Sequence, residues 1–208
     1  MNLSLRTLLC LVAAIAGLTF VSILPAQSAA PAAPAPVTPA PAAPAATATP
    51  GLTLTTTAFE DGGLIPARFT QSDPSPVSPK LDWTYVPAGT VSFALIMHDP
   101  DVALNRTTED FLHWLIFNIP GTATGLPENV PVMPQRPDGS VQGKNRGNIN
   151  GYRGPGAPAV GPYHHYTFEL FALDVKLDLT ADATRAEVLK AMDGHILGKG
   201  VLGGRFHR

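Results

Sequence analysis

Three runs of this chain are apolar almost without a break: "VSFALIMH" (91–98), "HWLIFNIP" (113–120) and "YTFELFALD" (166–174). Their length and their β-branched and aromatic content predict buried strands. The third alternates in its first half. "LTLTTTAF" (52–59) also alternates and predicts a strand. "GGLIPARF" (62–69) reads as a turn followed by an extended piece. In "SDPSPVSPKLDW", Pro74, Pro76 and Pro79 exclude a helix and suit a loop or a sheet edge. Helical periodicity is clear once. Thr184 with Glu187 forms a capping-box pattern, and Val188, Leu189 and Met192 form an apolar stripe. This predicts a helix from Arg185 to about His195, with Gly194 its weak point. "VLGGRF" (201–206) predicts a last short strand. Closely spaced strands with Pro/Gly loops and one late helix point to a mainly β sandwich, not a parallel α/β sheet.

The first fifty residues have a different character. Arg6 precedes the apolar run "LLCLVAAIAGLTFVSIL", and small residues follow in "PAQSAA". This is the pattern of a secretory signal, with cleavage expected after Ser28. The alternative is an uncleaved anchor spanning residues 8–24, since the run approaches the ~18 apolar residues of a membrane span. Cys10, the single cysteine, lies inside this run. The mature chain is therefore expected to have no disulfide and no thiolate chemistry. Residues 29–50 are a Pro/Ala-rich tract without the bulky side chains that offset the entropy of folding, so they read as a semi-stiff spacer. The expected organisation is a signal at 1–28, a linker at 29–50 and one domain at 51–208. Without Arg6 the chain carries 13 basic and 16 acidic residues, a formal charge of −3. No basic stripe is present, which argues against nucleic acid as a partner.

Polar groups gather where the strong strands end. His98, Asp99 and Asp101 follow the first run. His113 opens the second. The loop "GYRGPGAPAVGPYHHY" leads into the third through His164, His165 and Tyr166. If these strands are neighbours in one sheet, the three clusters meet at one rim. Read alone, Asp99 and Asp101 beside Pro100 can be turn formers, and His113 beside Trp114 can be a core histidine. His98 reads as ordinary surface, His195 as a residue that packs on the helix and His207 as exposed. Trp83 and Trp114 read as core.

Five blocks sharpen this. "AFEDGGLIPARFT", "PKLDWTYVPAGTVSFALIMHDPDV", "HWLIFNIP", "GYRGPGAPAVGPYHHYTFELFALD" and "RAEVLKAMDGHIL" occur in the order and spacing of the phosphatidylethanolamine-binding protein family. The chain most resembles its bacterial, Raf-kinase-inhibitor-like branch, over nearly all of Leu52–Arg208. The resemblance implies two antiparallel sheets, a helix near the end, and a small pocket at one end for phosphate, acetate or phosphoryl head groups. It places the family's Asp-Pro-Asp motif on Asp99, Pro100 and Asp101, its pocket histidine on His113, its Gly-Pro loop on Gly154 and Pro155, and its His-Arg-Tyr triplet on His164, His165 and Tyr166. Imidazole N–H and loop backbone N–H groups would donate to the anion. The carboxylates would orient the histidines or meet an ethanolamine-like ammonium.

The chain departs from the family in three places. Val102 and Ala103 stand where a proline usually continues the motif. His165 replaces a permanent cation with a titratable group. Gln71 lies in a stretch that often carries a cysteine and Gly-Asn.

The expected function is non-enzymatic binding of a small anion or phosphorylated head group by an exported domain, with no cofactor. The alternative is a protein-interaction module, inhibiting a protease or a kinase through the pocket rim. Membrane contact is expected only through an uncleaved amino terminus. Hydrolytic readings are weaker. No Ser, Cys or Thr carries a triad pattern. Asp99 and Asp101 are poorly placed for a glycosidase pair. Asp, Asp and His could bind a divalent metal, which would suit a metal-dependent hydrolase.

Overall fold

The computed structural model describes residues 50–208. The expected signal and nearly all of the linker lie outside the described residues. Two sheets make the body. Strands β1 (Thr53–Thr55), β3 (Leu81–Thr84) and β6 (Gly125–Leu126) form the small one, in the order β1-β3-β6. Strands β2 (Gly63–Leu64), β4 (Ser92–Asp99), β5 (Phe111–Pro120), β7 (Val141–Gln142), β8 (His164–Leu173) and β9 (Ile196–Phe206) form the large one, in the order β2-β9-β8-β4-β5-β7. One helix, α1 (Arg185–Met192), precedes β9. The pairings are antiparallel except β2 with β9, which is parallel. That exception is a two-residue contact at the sheet edge, and the expected antiparallel two-sheet architecture holds.

The unbroken apolar runs have a simple cause. Side chains alternate across a strand, and β4 and β5 are covered on both faces. Phe93, Leu95, Met97, Trp114 and Ile116 enter the core between the two sheets. Ala94, Ile96, Leu115 and Phe117 enter a second core on the opposite face, capped by Val188 and Met192 of α1. A strand buried on both sides has no polar face to show.

The capping box is formed. The Glu187 backbone N–H donates to Thr184 Oγ1 at 3.2 Å, and the Thr184 N–H donates to Glu187 Oε2 at 2.7 Å. Helix α1 stops at Met192, three residues short of the expected end, and Gly194 takes a left-handed φ of +81°. Leu189, placed in the apolar stripe from sequence, is exposed. The short strand expected at 201–206 is the second half of the eleven-residue β9. Its glycines masked it, because glycine weakens a strand reading. Gly200 is there for close approach: a Cβ at this position would lie 2.9 Å from the Leu52 carbonyl oxygen. The piece expected to be extended after Gly63 is a two-residue strand followed by a 3₁₀ turn at Ala67–Phe69.

Register explains the placement of His98. Met97 points into the inter-sheet core, so His98 faces the helix side. There its Nδ1 lies 2.5 Å from Asp110 Oδ2, and its Nε2 lies 3.7 Å from Glu169 Oε2. Arg185 pairs with Asp110, and Lys199 with Glu169. His98 is therefore the centre of a mostly buried charged network, not ordinary surface. His195 is also corrected: it is exposed and pairs with Asp174 at 2.8 Å instead of packing. His207, expected to be exposed, is half-buried edge-on against Tyr163. No described helix is long and apolar enough to cross a membrane.

Candidate functional site

Strand pairing brings three chain segments to one rim. Asp99, the last residue of β4, stands opposite Phe111 at the start of β5. On the other side, His98 pairs with Thr167, so the first residues of β8 lie beside the end of β4. A cleft of about 330 Å³ opens there. Of the residues singled out from sequence, Asp99, His113, His164 and Tyr166 line it. Pro100, Asp101, Gly154 and Pro155 do not. Gln71, Phe111, Arg153 and Gly156, with Val102, Leu104, Ala157 and Pro158, complete the wall.

Asp99 is buried and serves both sides of the rim. Its Oδ2 lies 2.7 Å from His164 Nδ1, and its Oδ1 accepts the Asp101 backbone N–H at 3.0 Å. The second bond is an Asx turn, so the turn-former reading and the site reading hold together. Asp101 is exposed. Its carboxylate accepts the His165 N–H at 2.6 Å and lies 3.0 Å from the His165 ring, tying the turn to β8 outside the cleft. Burial would raise the Asp101 carboxyl. The two His165 hydrogen bonds and the His165 and His164 charges outweigh it and hold the group below its ordinary range.

His113 is 3% exposed. Its Nδ1 lies 2.8 Å from the Arg153 carbonyl oxygen, which can only accept. The proton is therefore on Nδ1, and the neutral ring presents the lone pair of Nε2. Burial pushes the imidazole below its usual value, aided by the Arg153 charge; backbone hydrogen bonding and the Asp99 charge oppose this less strongly. Phe111 packs 4.8 Å from the ring, and Tyr166 meets it edge-on at 5.2 Å.

The Gly/Pro loop is built differently from the expectation. The Gly156 and Ala157 N–H groups donate to the Tyr166 hydroxyl oxygen at 3.3 and 3.1 Å. These two amides are thus engaged with Tyr166. Burial and the Asp99 charge push the Tyr166 phenol well above its usual value, so it stays protonated. Gly154 and Pro155 work by fit. Gln71 Nε2 donates to the Gly154 carbonyl at 2.7 Å, and the Gln71 N–H donates to the Pro155 carbonyl at 2.8 Å. A Cβ at Gly154 would stand 2.7 Å from the Phe69 carbonyl oxygen and 3.0 Å from Thr70 Cα, both backbone. Gly154→Ala is expected to cost about 1–3 kcal/mol by overpacking and to lower the melting temperature by several degrees in a thermal scan.

Arg153 went unrecognised from sequence, where it looked like one more loop arginine. Its guanidinium carbon sits 5.6 Å over the Phe111 ring, and its Nε is sealed without a partner. Gly147 makes room for it: a Cβ there would fall 2.2 Å from an Arg153 terminal nitrogen. The cleft therefore has a fixed cation, although the position expected to carry one holds His165. For a metal, the candidate ligands among the described residues are Asp99, Asp101 and His164, whose donor atoms lie within 4.8 Å of one another. An ion there would have to break the Asp99–His164 hydrogen bond.

A family model for phosphatidylethanolamine-binding protein matches residues 55–207. The chain belongs to this family. It is 48% identical to a UPF0098 protein of Methanothermobacter thermautotrophicus over 157 residues, covering 76% of this chain and 99% of that one. A UPF0098 protein of Chlamydia pneumoniae is 34% identical over 158 residues, again 76% of this chain and 99% of the relative. Among solved structures, a putative phosphatidylethanolamine-binding protein homolog from Chlamydia trachomatis superposes with a TM-score of 0.65 at 31% identity, covering 76% of this chain and 98% of its own. E. coli YbcL, described as a new member of the mammalian PEBP family, gives 0.66 at 27%, covering 76% and 99%. These place the chain in the bacterial branch of the family, which has archaeal relatives as well. The two-sheet architecture with one late helix is that of a family whose fold is a binding fold.

Proposed function

We propose that this domain is an exported, non-enzymatic binding module that takes a small anion or a phosphorylated head group in the cleft at the β4–β5–β8 rim. One observation carries the reading: Arg153 and the oriented His113 line the same cleft of about 330 Å³. Arg153 supplies a planar guanidinium, the side chain best suited to phosphate and carboxylate geometry. His113, held by the Arg153 carbonyl, supplies a ring nitrogen with no hydrogen-bond partner among the described residues. Export rests on the amino-terminal sequence pattern.

The proton balance gives a sign. Free His113 lies below its ordinary value, and an anion beside it raises that value. Binding therefore takes up a proton between the free and bound values. Affinity is greatest at low pH and falls as pH rises through this interval. Calorimetric titration of the protein with sulfate, whose charge is constant over this range, is expected to show at least severalfold tighter binding at pH 5 than at pH 8. Equal affinity at both would remove His113 from the site.

A second reading has its own observation. Val160 is 91% exposed and Tyr163 41% exposed, both in the loop leading to His164. Such side chains beside a ligand cleft suit a protein partner at the rim. A partner whose binding survives His113→Ala but is lost with Val160→Asp would place that role on the rim surface.

A further inference from the structure

Leu189 belongs to the apolar stripe of α1, yet it is 37% exposed. It lines a separate cleft of about 370 Å³, between α1, the start of β5 and the loop before it. Leu104 and Leu112 line the same cleft. Leu112 packs against the helix-side core. Leu104 also lines the cleft at the β4–β5–β8 rim, and it is the one residue the two clefts share. A concave apolar wall with a few placed charges is the usual form of a small-molecule site.

The charges here divide into those already paired and those not. Asp110 is paired: it takes Arg185 Nη1 and lies 2.5 Å from His98 Nδ1. Glu109 and Arg146 are held by their backbones. The Glu109 carbonyl accepts the Leu104 N–H at 2.8 Å, and the Arg146 N–H donates to the Leu112 carbonyl at 3.0 Å. Their side chains line the cleft and have no hydrogen-bond or ion-pair partner among the described residues. A ligand with a carboxylate alone would leave Glu109 unanswered. One with an ammonium alone would leave Arg146 unanswered. A molecule with both, and an apolar side chain for the leucines, complements the whole wall.

We propose that this cleft binds a zwitterion with an apolar side chain, of the class of a free leucine-like α-amino acid. The carboxylate pairs with the Arg146 guanidinium, whose planar fork suits it. The ammonium pairs with Glu109. The side chain lies on Leu104, Leu112 and Leu189. Exposed ion pairs are worth little each, so apolar contact sets most of the affinity and the charges set the choice of ligand.

The test is a ¹H–¹⁵N NMR titration of the protein at pH 7 with L-leucine, glycine and N-acetyl-L-leucine. Leucine is expected to shift the amides of Glu109, Arg146 and Leu189 saturably. Glycine has both charges and no side chain, and should bind at least ~10-fold more weakly, the worth of partly burying a leucine side chain. N-acetyl-L-leucine lacks the ammonium, and should bind roughly 2- to 5-fold more weakly, the size of one exposed ion pair. Arg146→Gln should weaken leucine by a similar factor, and Leu189→Ser by more. Both side chains are exposed, so the fold is expected to survive either change. Glycine or N-acetyl-L-leucine binding as tightly as leucine overturns the inference. So do leucine shifts centred on residues 156–158, which would place the amino acid in the other cleft, and the absence of saturable shifts up to tens of millimolar leucine.

Discussion

His113→Ala is expected to weaken phosphate binding by roughly 10- to 100-fold, while Asp101→Ala changes it by less than about threefold. The first figure is the loss of one hydrogen bond to a charged group, about 1.5–3 kcal/mol. His113 lines the cleft and is oriented by the Arg153 carbonyl at 2.8 Å. Its removal also leaves that carbonyl without a partner, which would let the 153–157 loop shift. Asp101 is the contrast. It belongs to the same sequence motif as Asp99, yet its carboxylate faces His165 at the exposed rim. Isothermal titration of the two variants with phosphate separates the cleft account from a motif-level account. Equal losses would mean that the Asp-Pro-Asp turn acts as one unit and that cleft lining is the wrong guide.

Trp114→Ala is expected to be the most damaging single change to the fold, at about 3–5 kcal/mol. Trp114 is fully buried between the sheets. Its Nε1–H donates to Gln142 Oε1 at 2.8 Å, and its ring meets Tyr152 edge-on at 5.5 Å. Gln142 in turn donates to the Pro131 and Met133 carbonyls. The substitution therefore opens a cavity and strands a buried amide oxygen that organises the 131–142 segment. A chemical denaturation curve should show the full loss, with Trp114→Phe clearly milder because the ring volume is largely kept. A loss below about 1 kcal/mol for Trp114→Ala would contradict the burial.

The fold was legible where burial dictates pattern. Runs such as 91–98 and 113–120 are apolar because both faces of β4 and β5 are covered. Thr184 and Glu187 announced α1 through hydrogen bonds that are local in sequence. Long-range approach hid β9, where Gly200 admits the Leu52 backbone and Gly198 and Gly204 admit the Pro87 and Ile65 side chains, and glycines read as breakers when such neighbours are unknown. The same limit applies at the cleft. Asp99, His113, His164 and Tyr166 stood out as polar groups at strand ends. Arg153 and Gln71 did not, because their roles depend on Phe111, Gly147 and Gly154, which are close only in the fold. His98 was misread because one residue of register moves a side chain to the other face of a sheet.

An anion site at the rim of β4, β5 and β8 should respond locally to its ligand. Its most direct test is a ¹H–¹⁵N NMR titration of the protein with inorganic phosphate at pH 6. Saturable shifts are expected on Asp99, the His113 ring, the Arg153 side chain and residues 156–158, with the amides around α1 unmoved. Absence of saturable shifts up to millimolar phosphate, or shifts centred away from the cleft, would contradict it.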